Sequence, residues 1–426
     1  MPIRASRILI AGVSTRAAAE SAAQAGFVVT AIDAFGDLDQ HASVRAISLG
    51  RSFAAHAAAR AARSIECDAV VYLSSFENHP RAVSALAAGR ALWGNAPAVL
   101  RRVRDPVLVA RALRGRGCAV PDAYVATDGP DVDVNDMVRL KPDTTYGNDR
   151  RWLVKPLASG GGHRVQPWRR ETGLPPRCYL QELVDGTPGS VVFVACEGRA
   201  VPLGVSRQLV GDRAFGAAGY RYCGNILAAA GDAGDAALVE RACALARAAA
   251  EEFGLVGVNC IDFVARAGVP YAVEVNPRWS ASMELVERAY GFSVFRAHAA
   301  ACAVGALPEF DLIRAQRGSG GAVGKAVVFA RRDVTIGDTR AWLPGDAVAS
   351  VRDVPHPGEP ISAGRAVCTV FAAARDANAC YAELVRRAER VYAELAAWER
   401  GAHGSGGSGR PGESGRSDRS RPTRLT

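Results

Sequence analysis

The feature that most constrains the fold of this 426-residue sequence is a pair of apolar segments that each carry one carboxylate. Residues 259–264 read NCIDFV, and residues 271–279 read YAVEVNPRW. An Ala-Gly pair at 267–268 lies between them. This spacing predicts two β-strands joined by a hairpin turn, with alternate side chains on opposite faces of each strand.

The acidic residues of this hairpin are candidate metal ligands. Alternation places Glu274 and Asn276 on one face of the second strand, and Asp262 faces them if the two strands pair. Carboxylate and amide oxygens are hard ligands that suit Mg²⁺ (or Mn²⁺), and a cation would offset the cost of carboxylates in apolar strands. The alternative is that the carboxylates form structural ion pairs with Arg278 or Arg266.

A second motif, WLVKPLASGGGH at residues 152–163, combines a strand with a glycine loop. The strand carries Lys155, which can supply positive charge to phosphates. The loop consists of Ser159, Gly160, Gly161 and Gly162. Successive glycines let backbone N–H groups approach an anion closely, although a simple flexible turn would have the same composition. The Lys precedes the glycines, so this is not a Walker A loop.

A third motif, YLQELVDG at residues 179–186, is an apolar strand that runs into polar residues and then a loop. Gln181 or Glu182 could bind the exocyclic amine of an adenine, and the backbone near Val184 could reach the ring. An edge strand with two solvated polar residues is the alternative interpretation.

The rest of the chain predicts an α/β protein with three folded parts and a tail. Apolar strands alternating with helical stretches predict an open parallel sheet in residues 1–105. We expect a two-lobed domain in residues 106–310, a small β-rich domain with a final helix in 311–400, and a disordered Gly/Ser/Pro-rich tail in 401–426.

Composition argues against several classes of protein. The net charge is +9, but the tail contributes +3 of it, and no basic run with interleaved aromatic residues is present, so we expect no nucleic-acid partner. No signal sequence or apolar stretch of membrane-spanning length is visible, which predicts a cytoplasmic protein without membrane contact. The ten Cys form no C-x-x-C pair, which is typical of buried thiols in a reducing compartment. The segment IAGVSTR lacks G-x-G-x-x-G, which disfavours a dinucleotide-dependent oxidoreductase.

In this order and spacing the three motifs resemble the ATP-grasp superfamily, over residues 105–305. Within it, QELVDGTPGSV, RYCGN and EVNPRWSAS are similar to the predicted ATP-dependent carboligases related to biotin carboxylase, a group whose relatives include the tyramine–glutamate ligase of methanofuran biosynthesis. The resemblance implies an ATP-grasp fold, with ATP bound by Lys155, the glycine loop and residues 181–184, and Mg²⁺ bound by the hairpin. It also implies that Arg278 stabilises the transition state, and it makes Arg207 a weaker phosphate-facing candidate.

The expected activity is ATP-dependent formation of a C–N bond between a small carboxylate and an amine through an acyl phosphate, in one-carbon cofactor (methanofuran- or tetrahydromethanopterin-type) synthesis. A carboxylase-like enzyme that uses carboxyphosphate and a non-catalytic ATP sensor are the alternatives, and a homodimer is left open. One departure concerns a second Lys that family members often carry early in the domain. The comparable stretch here offers only Arg101, Arg102 or Arg104.

Overall fold

A computed structural model of the chain describes residues 6–50, 53–125, 151–169, 173–229, 233–343 and 350–404. Within these ranges the strands form one parallel and three antiparallel sheets, and helices pack against them. The predicted α/β class is therefore confirmed. All ten cysteines are free thiols.

The N-terminal segment forms a parallel five-stranded sheet in the order β3-β2-β1-β4-β5. Its strands are β1 (Arg7–Ala11), β2 (Val28–Asp33), β3 (Arg45–Ser48), β4 (Ala69–Tyr72) and β5 (Ala91–Trp93). Consecutive residues of β1 enter different cores, because Ile8 and Ile10 pack in one cluster and Leu9 in another. Burial on both faces explains the continuous apolar run in the sequence.

The α-helices described in this half of the chain are α1 (Arg16–Gln24), α2 (Ala55–Ala61), α3 (Pro80–Leu86), α4 (Pro97–Val103) and α5 (Pro106–Gly115). The side chain of Asp105 caps α5 by accepting hydrogen bonds from the backbone N–H groups of Val107 and Leu108, at 3.0 and 2.9 Å. Pro106 suits the first turn, where its missing N–H has no intrahelical partner. The junction of α4 and α5 therefore fixes Arg104 between two helices.

A small antiparallel sheet follows, in the order β6-β9-β7-β8. Its strands are β6 (Ala123–Val125), β7 (Trp152–Pro156), β8 (Gln166–Pro167) and β9 (Cys178–Glu182). Trp152, Val154 and Leu180 form its buried cluster. The glycine loop leaves β7, and the predicted adenine segment leaves β9.

The largest sheet has eight strands in the order β14-β13-β10-β11-β12-β15-β19-β17. Their bounds are β10 (Thr187–Cys196), β11 (Arg199–Val210), β12 (Tyr222–Leu227), β13 (Gly257–Arg266), β14 (Val269–Asn276), β15 (Ala322–Phe329), β17 (Val351–Arg352) and β19 (Ala366–Ala374). The C-terminal strands thus share a sheet with the predicted hairpin, which is present as β13 and β14. The predicted division of the chain at residues 105, 310 and 400 stays a prediction. A separate pair joins β16 (Val334–Thr335) to β18 (Pro360–Ile361).

The remaining helices are α6 (Ala233–Phe253), α7 (Met283–Tyr290), α8 (Val294–Val304), α9 (Leu312–Gly318) and α10 (Ala377–Gly404). One face of α10 packs on β15 and β19 and buries Leu384, Ala388 and Val391. The tail is predicted to begin at residue 401, but residues 401–404 continue α10; the rest of it, from residue 405 onward, lies outside the described residues. No described helix combines the length and the apolar character needed to cross a membrane.

Candidate functional site

A cavity of about 890 Å³ is lined by strand residues of the four-stranded and eight-stranded sheets and by the loops that follow β1 and β4 of the parallel sheet. Of the 13 residues proposed from the sequence for phosphate, adenine, metal and catalytic roles, 12 line this cavity. Arg207 is the exception, since it is not among the lining residues. The structure therefore brings together three motifs that lie between residues 152 and 279 of the chain.

The β13–β14 hairpin places the two predicted metal-binding carboxylates directly opposite each other. Asp262 pairs with Glu274 and Cys260 pairs with Asn276, so the three predicted ligands share one face. The Asp262 carboxylate accepts hydrogen bonds from Gln208 Nε2 at 2.7 Å and from Asn276 Nδ2 at 2.9 Å. Burial, together with the neighbouring charge of Glu274, raises the pKa of Asp262 to about 6.

Glu274 has a cationic partner. Its Oε1 accepts a hydrogen bond from Arg104 NH1 at 2.5 Å, and the Arg104 and Glu274 side chains are 13% and 25% exposed. Burial alone would raise the pKa of Glu274, but Arg104 and Lys155 lower it below its ordinary value. One carboxylate of the hairpin is thus compensated by protein cations, while the pKa of the other is raised.

Arg104 is the best placed of the three arginines that could replace the missing early Lys. It lines the cavity, whereas Arg101 and Arg102 do not. Besides Glu274, its guanidinium donates to Asn78 Oδ1 at 3.1 Å and to the Ser159 carbonyl at 3.0 Å. The sequence offered three candidates in one short stretch, and only the α4–α5 junction distinguishes them.

Lys155 extends from β7 into the cavity and is held by β9. Its Nζ donates to Gln181 Oε1 at 3.0 Å and lies 5.8 Å from the centre of the Tyr179 ring. The amide of Gln181 in turn donates from Nε2 to the Val273 carbonyl at 3.1 Å. Each end of this amide has a partner in the protein, and its Oε1 holds the Lys155 ammonium in place.

The segment after Gln181 keeps a free backbone donor. Glu182 forms two hydrogen bonds with the backbone of Asp122. The Glu182 backbone N–H donates to the Asp122 carbonyl at 2.8 Å, and the Glu182 carboxylate accepts from the Asp122 N–H at 3.3 Å. Val184 is 6% exposed and lines the cavity. Among the described residues its backbone N–H has no acceptor. A buried N–H without an acceptor is costly, which fits a ligand acceptor at this point.

The glycine loop has the conformation that its composition requires. Gly161 and Gly162 have φ angles of 61° and 73°, which favour glycine. A Cβ on Gly162 would lie 1.8 Å from the carbonyl oxygen of Tyr220, whereas Cβ atoms on Gly160 and Gly161 would meet open space. The loop is thus closely packed at Gly162 and open at Gly160 and Gly161.

Arg278 is held rigidly at the end of β14. Its Nε donates to Glu77 Oε1 at 2.9 Å, NH1 to the Trp279 carbonyl at 3.0 Å and NH2 to Asn276 Oδ1 at 3.1 Å. The Arg278 side chain is 12% exposed and that of Glu77 is 2% exposed. These contacts hold a cation beside the two carboxylates of the hairpin.

Arg207 points away from this cluster. It lies on β11, where neighbouring residues face opposite sides of the sheet, and Gln208 is the one that lines the cavity and contacts Asp262. The guanidinium of Arg207 lies 5.9 Å from the centre of the Tyr381 ring of α10. Knowledge of the β11–β12 pairing would have been needed to choose Gln208 from the sequence.

The donor set fits a divalent cation. Asp262 and Glu274 supply hard oxygen ligands on one face, and the raised pKa of Asp262 marks a carboxylate that a nearby positive charge would stabilise. No group of three or more His, Cys, Asp or Glu side chains is placed to share a metal in the described ranges. Amide, water or phosphate oxygens would therefore have to complete the ligand shell, as Mg²⁺ commonly requires.

Comparison with known proteins agrees with this geometry. Residues 103–282 match the family model of the ATP-grasp domain. They contain the glycine loop, Lys155 and the acidic hairpin, and are therefore an ATP-grasp domain. The chain as a whole has the fold of the ATP-grasp superfamily and is related in structure to biotin carboxylase, as the sequence motifs predicted.

Three solved structures illustrate the relationship. Rhizobium etli pyruvate carboxylase is 17% identical with a TM-score of 0.67, and the match covers 90% of this chain but only 37% of that one. Biotin carboxylase from Campylobacter jejuni, solved with an ATP analogue, is 16% identical with a TM-score of 0.64, covering 89% and 90% of the two chains. The L-amino acid ligase from Bacillus licheniformis is 15% identical with a TM-score of 0.63, covering 90% and 97%. No curated protein matches the sequence.

Proposed function

We propose that this protein is an ATP-dependent ligase that joins a carboxylate to an amine through an acyl phosphate. The observation that carries the proposal is the convergence of Lys155, Arg104 and Arg278 on one cavity beside the carboxylates of Asp262 and Glu274. Three cations next to a site for a hard metal ion suit the transfer of a phosphoryl group, in which negative charge must be neutralised. The L-amino acid ligase fold adds support for this class of reaction.

In the proposed reaction a carboxylate oxygen attacks the γ-phosphorus of ATP, the bond to the bridging oxygen breaks, and ADP leaves. The amine nitrogen then attacks the acyl carbon, phosphate departs, and the nitrogen loses a proton to solvent. Lys155 and Arg104 bind ATP phosphates, and the Val184 backbone contacts the adenine. Arg278 stabilises the transferring group because Glu77 and Asn276 hold its guanidinium in place.

Asp262 and Glu274, with Asn276 beside them, would hold Mg²⁺. The ion would supply positive charge to the phosphate oxygens. Glu274 already has Arg104 as a partner, so metal binding would leave the Arg104 guanidinium available to a phosphate. The predicted cytoplasmic location and role in one-carbon cofactor synthesis remain predictions.

The test is release of ADP by the full chain in the presence of panels of carboxylates, each with and without amines. A ligase releases ADP only with the correct carboxylate, and hydroxylamine traps a hydroxamate when the amine is left out. Oxygen-18 in that carboxylate should appear in the released phosphate. If label stays out of the phosphate, the acyl-phosphate reaction is refuted.

Biotin carboxylase has the same fold, so a reaction through carboxyphosphate is the second candidate. The same assay distinguishes it, because ADP release would then depend on bicarbonate and on no organic carboxylate. A non-catalytic ATP sensor would bind ATP and release no ADP with any member of the panels.

A further inference from the structure

A row of polar side chains crosses the large sheet from the acidic hairpin to its opposite side. Paired positions on successive strands carry Glu274, Asp262, Ser190, Ser206, Gln208, Asn225 and Lys325. Several members are hydrogen-bonded to one another: Ser190 to Ser206 at 3.0 Å, Asn225 Nδ2 to Ser206 at 2.9 Å, and Gln208 Nε2 to Asp262 at 2.7 Å. The face that binds the nucleotide thus continues as a polar surface to β15.

Lys325 ends this row with unused donors. This chain contains 49 Arg and three Lys, and two of the three Lys, Lys155 and Lys325, line the cavity. The Lys325 side chain is 5% exposed, and its one hydrogen bond within the described residues goes to Glu284 Oε2 at 2.7 Å. An ammonium has three N–H donors, and besides Glu284 its Nζ lies 5.0 Å from the centre of the Phe371 ring, which leaves a donor for an acceptor in the cavity.

Asp353 lines the same part of the cavity with a carboxylate held on both oxygens. Arg16 Nε donates to Oδ1 at 2.7 Å, and the Thr369 hydroxyl donates to Oδ2 at 2.5 Å. A carboxylate has about four acceptor sites. The Asp353 side chain is 26% exposed, in contrast to Arg16, which is fully buried. Its remaining acceptor sites can therefore reach a ligand.

The charges around these two groups are balanced. The cations are Arg16, Arg288, Lys325 and Arg352, and the anions are Glu20, Asp39, Glu284 and Asp353. Burial and the neighbouring carboxylates raise the pKa of Asp37, which lies beside them, well above its ordinary value. A ligand with only one charge would leave this partly buried cluster unbalanced, whereas a ligand with both charges keeps the balance.

We propose that Lys325, Asp353 and Thr369 form a distal subsite that binds a zwitterionic, amino-acid-like co-substrate. Asp353 binds its ammonium group, and Lys325 binds its carboxylate. This inference rests on the proposed ligase function, because it identifies the class of one of the two molecules that are joined. Thr369 keeps the Asp353 carboxylate oriented toward the ligand.

The test is equilibrium binding by calorimetry with the full chain, which requires no ATP turnover. The standard L-amino acids are titrated first. Each one that binds is then compared with two analogues, the acid that lacks the amino group and the amine that lacks the carboxylate. The amino acid should bind at least about tenfold more tightly than either analogue, because each analogue leaves one partly buried charge unpaired.

Two variants separate the two contacts. Asp353→Asn should remove the preference over the acid, and Lys325→Gln should remove the preference over the amine. Asp353 has a φ of 55°, which Asn also tolerates, so the first substitution adds little backbone strain. Thr369→Val is a milder change that should partly weaken the preference for the amino acid over the acid that lacks the amino group. Asp338→Asn, in an exposed ion pair, is the matched control and should change neither preference.

The proposal is overturned if no amino acid binds, if the analogues bind as tightly, or if both variants lose both preferences equally. A general structural role predicts that last outcome, whereas opposite losses indicate direct contacts. Selective binding without ADP release would refute the ligase function while leaving the subsite intact. ADP release that depends on substrates without zwitterionic character would refute the subsite while leaving the ligase function intact.

Discussion

Substitution of Asp262 by Asn should make the folded protein more stable at alkaline pH while abolishing ATP turnover. Folding raises the pKa of this carboxyl from 3.8 to about 6 through burial and the charge of Glu274. The folded state therefore binds this proton more tightly than the unfolded chain. The resulting loss of stability develops as the pH rises from about 4 to about 6 and persists above that range.

The structure sets the size of the effect. A difference of about 2 pH units, at about 1.4 kcal/mol for each, corresponds to about 3 kcal/mol that an uncharged side chain would recover. Asn can accept a hydrogen bond only through its carbonyl oxygen, so one of the two donors, Gln208 or Asn276, loses its acceptor at a cost of about 1–2 kcal/mol. The expected net gain is about 1–2 kcal/mol at pH 8.

The assay is urea unfolding of both proteins at pH 8 and pH 4 with chelator present, because a bound cation would stabilise the native carboxylate. The gain should vanish at pH 4, where Asp262 is protonated in the folded wild type. Asp338→Asn is the control, since an ion pair with Arg340 lowers the pKa of Asp338 to about 2 and its substitution should bring no gain. An Asp262→Asn variant that is less stable at pH 8, or equally shifted at both pH values, would refute the reasoning.

Three further predictions test other parts of the site. Lys155→Met should weaken ATP binding by about 1.5–3 kcal/mol, the range for a hydrogen bond to a charged group. If calorimetry shows an unchanged ATP affinity, Lys155 does not bind the phosphates. Arg278→Lys should reduce kcat strongly with little change in ATP affinity, because the proposed contact forms mainly in the transition state; a parallel loss of affinity would contradict this. Gly162→Ala should destabilise the protein by about 1–3 kcal/mol in chemical denaturation, because its φ of 73° and the nearby Tyr220 carbonyl exclude a Cβ. Gly160→Ala meets open space and should be near neutral, so equal effects of the two would count against the argument.

Features that depend on local pattern could be predicted from the sequence. Alternation alone places Asp262, Glu274 and Asn276 on one face of a hairpin, and the Ala-Gly turn at 267–268 closes it with φ angles of 50° and 70°. The run of glycines predicts backbone angles that other residues avoid. The continuous apolar strand at the N-terminus predicts a parallel sheet buried on both faces, as observed.

Choices between neighbouring residues required the tertiary structure. The sequence could not separate Arg104 from Arg101 and Arg102, because only the folded structure brings the Arg104 guanidinium, at the junction of α4 and α5, to Glu274. The family resemblance also offered Arg207 as a weaker candidate, whereas the register of β11 turns Gln208 toward the cavity.

The proposed distal subsite gave no signal in the sequence. Its lysine and its aspartate come from β15 and from the end of β17, on strands that reach the cavity only because β15 pairs with β12 across nearly 100 residues of chain. Periodicity determines which side chains share a face within one element. Which distant elements lie side by side depends on how their apolar faces pack together, and that was decided only by the fold of the whole chain.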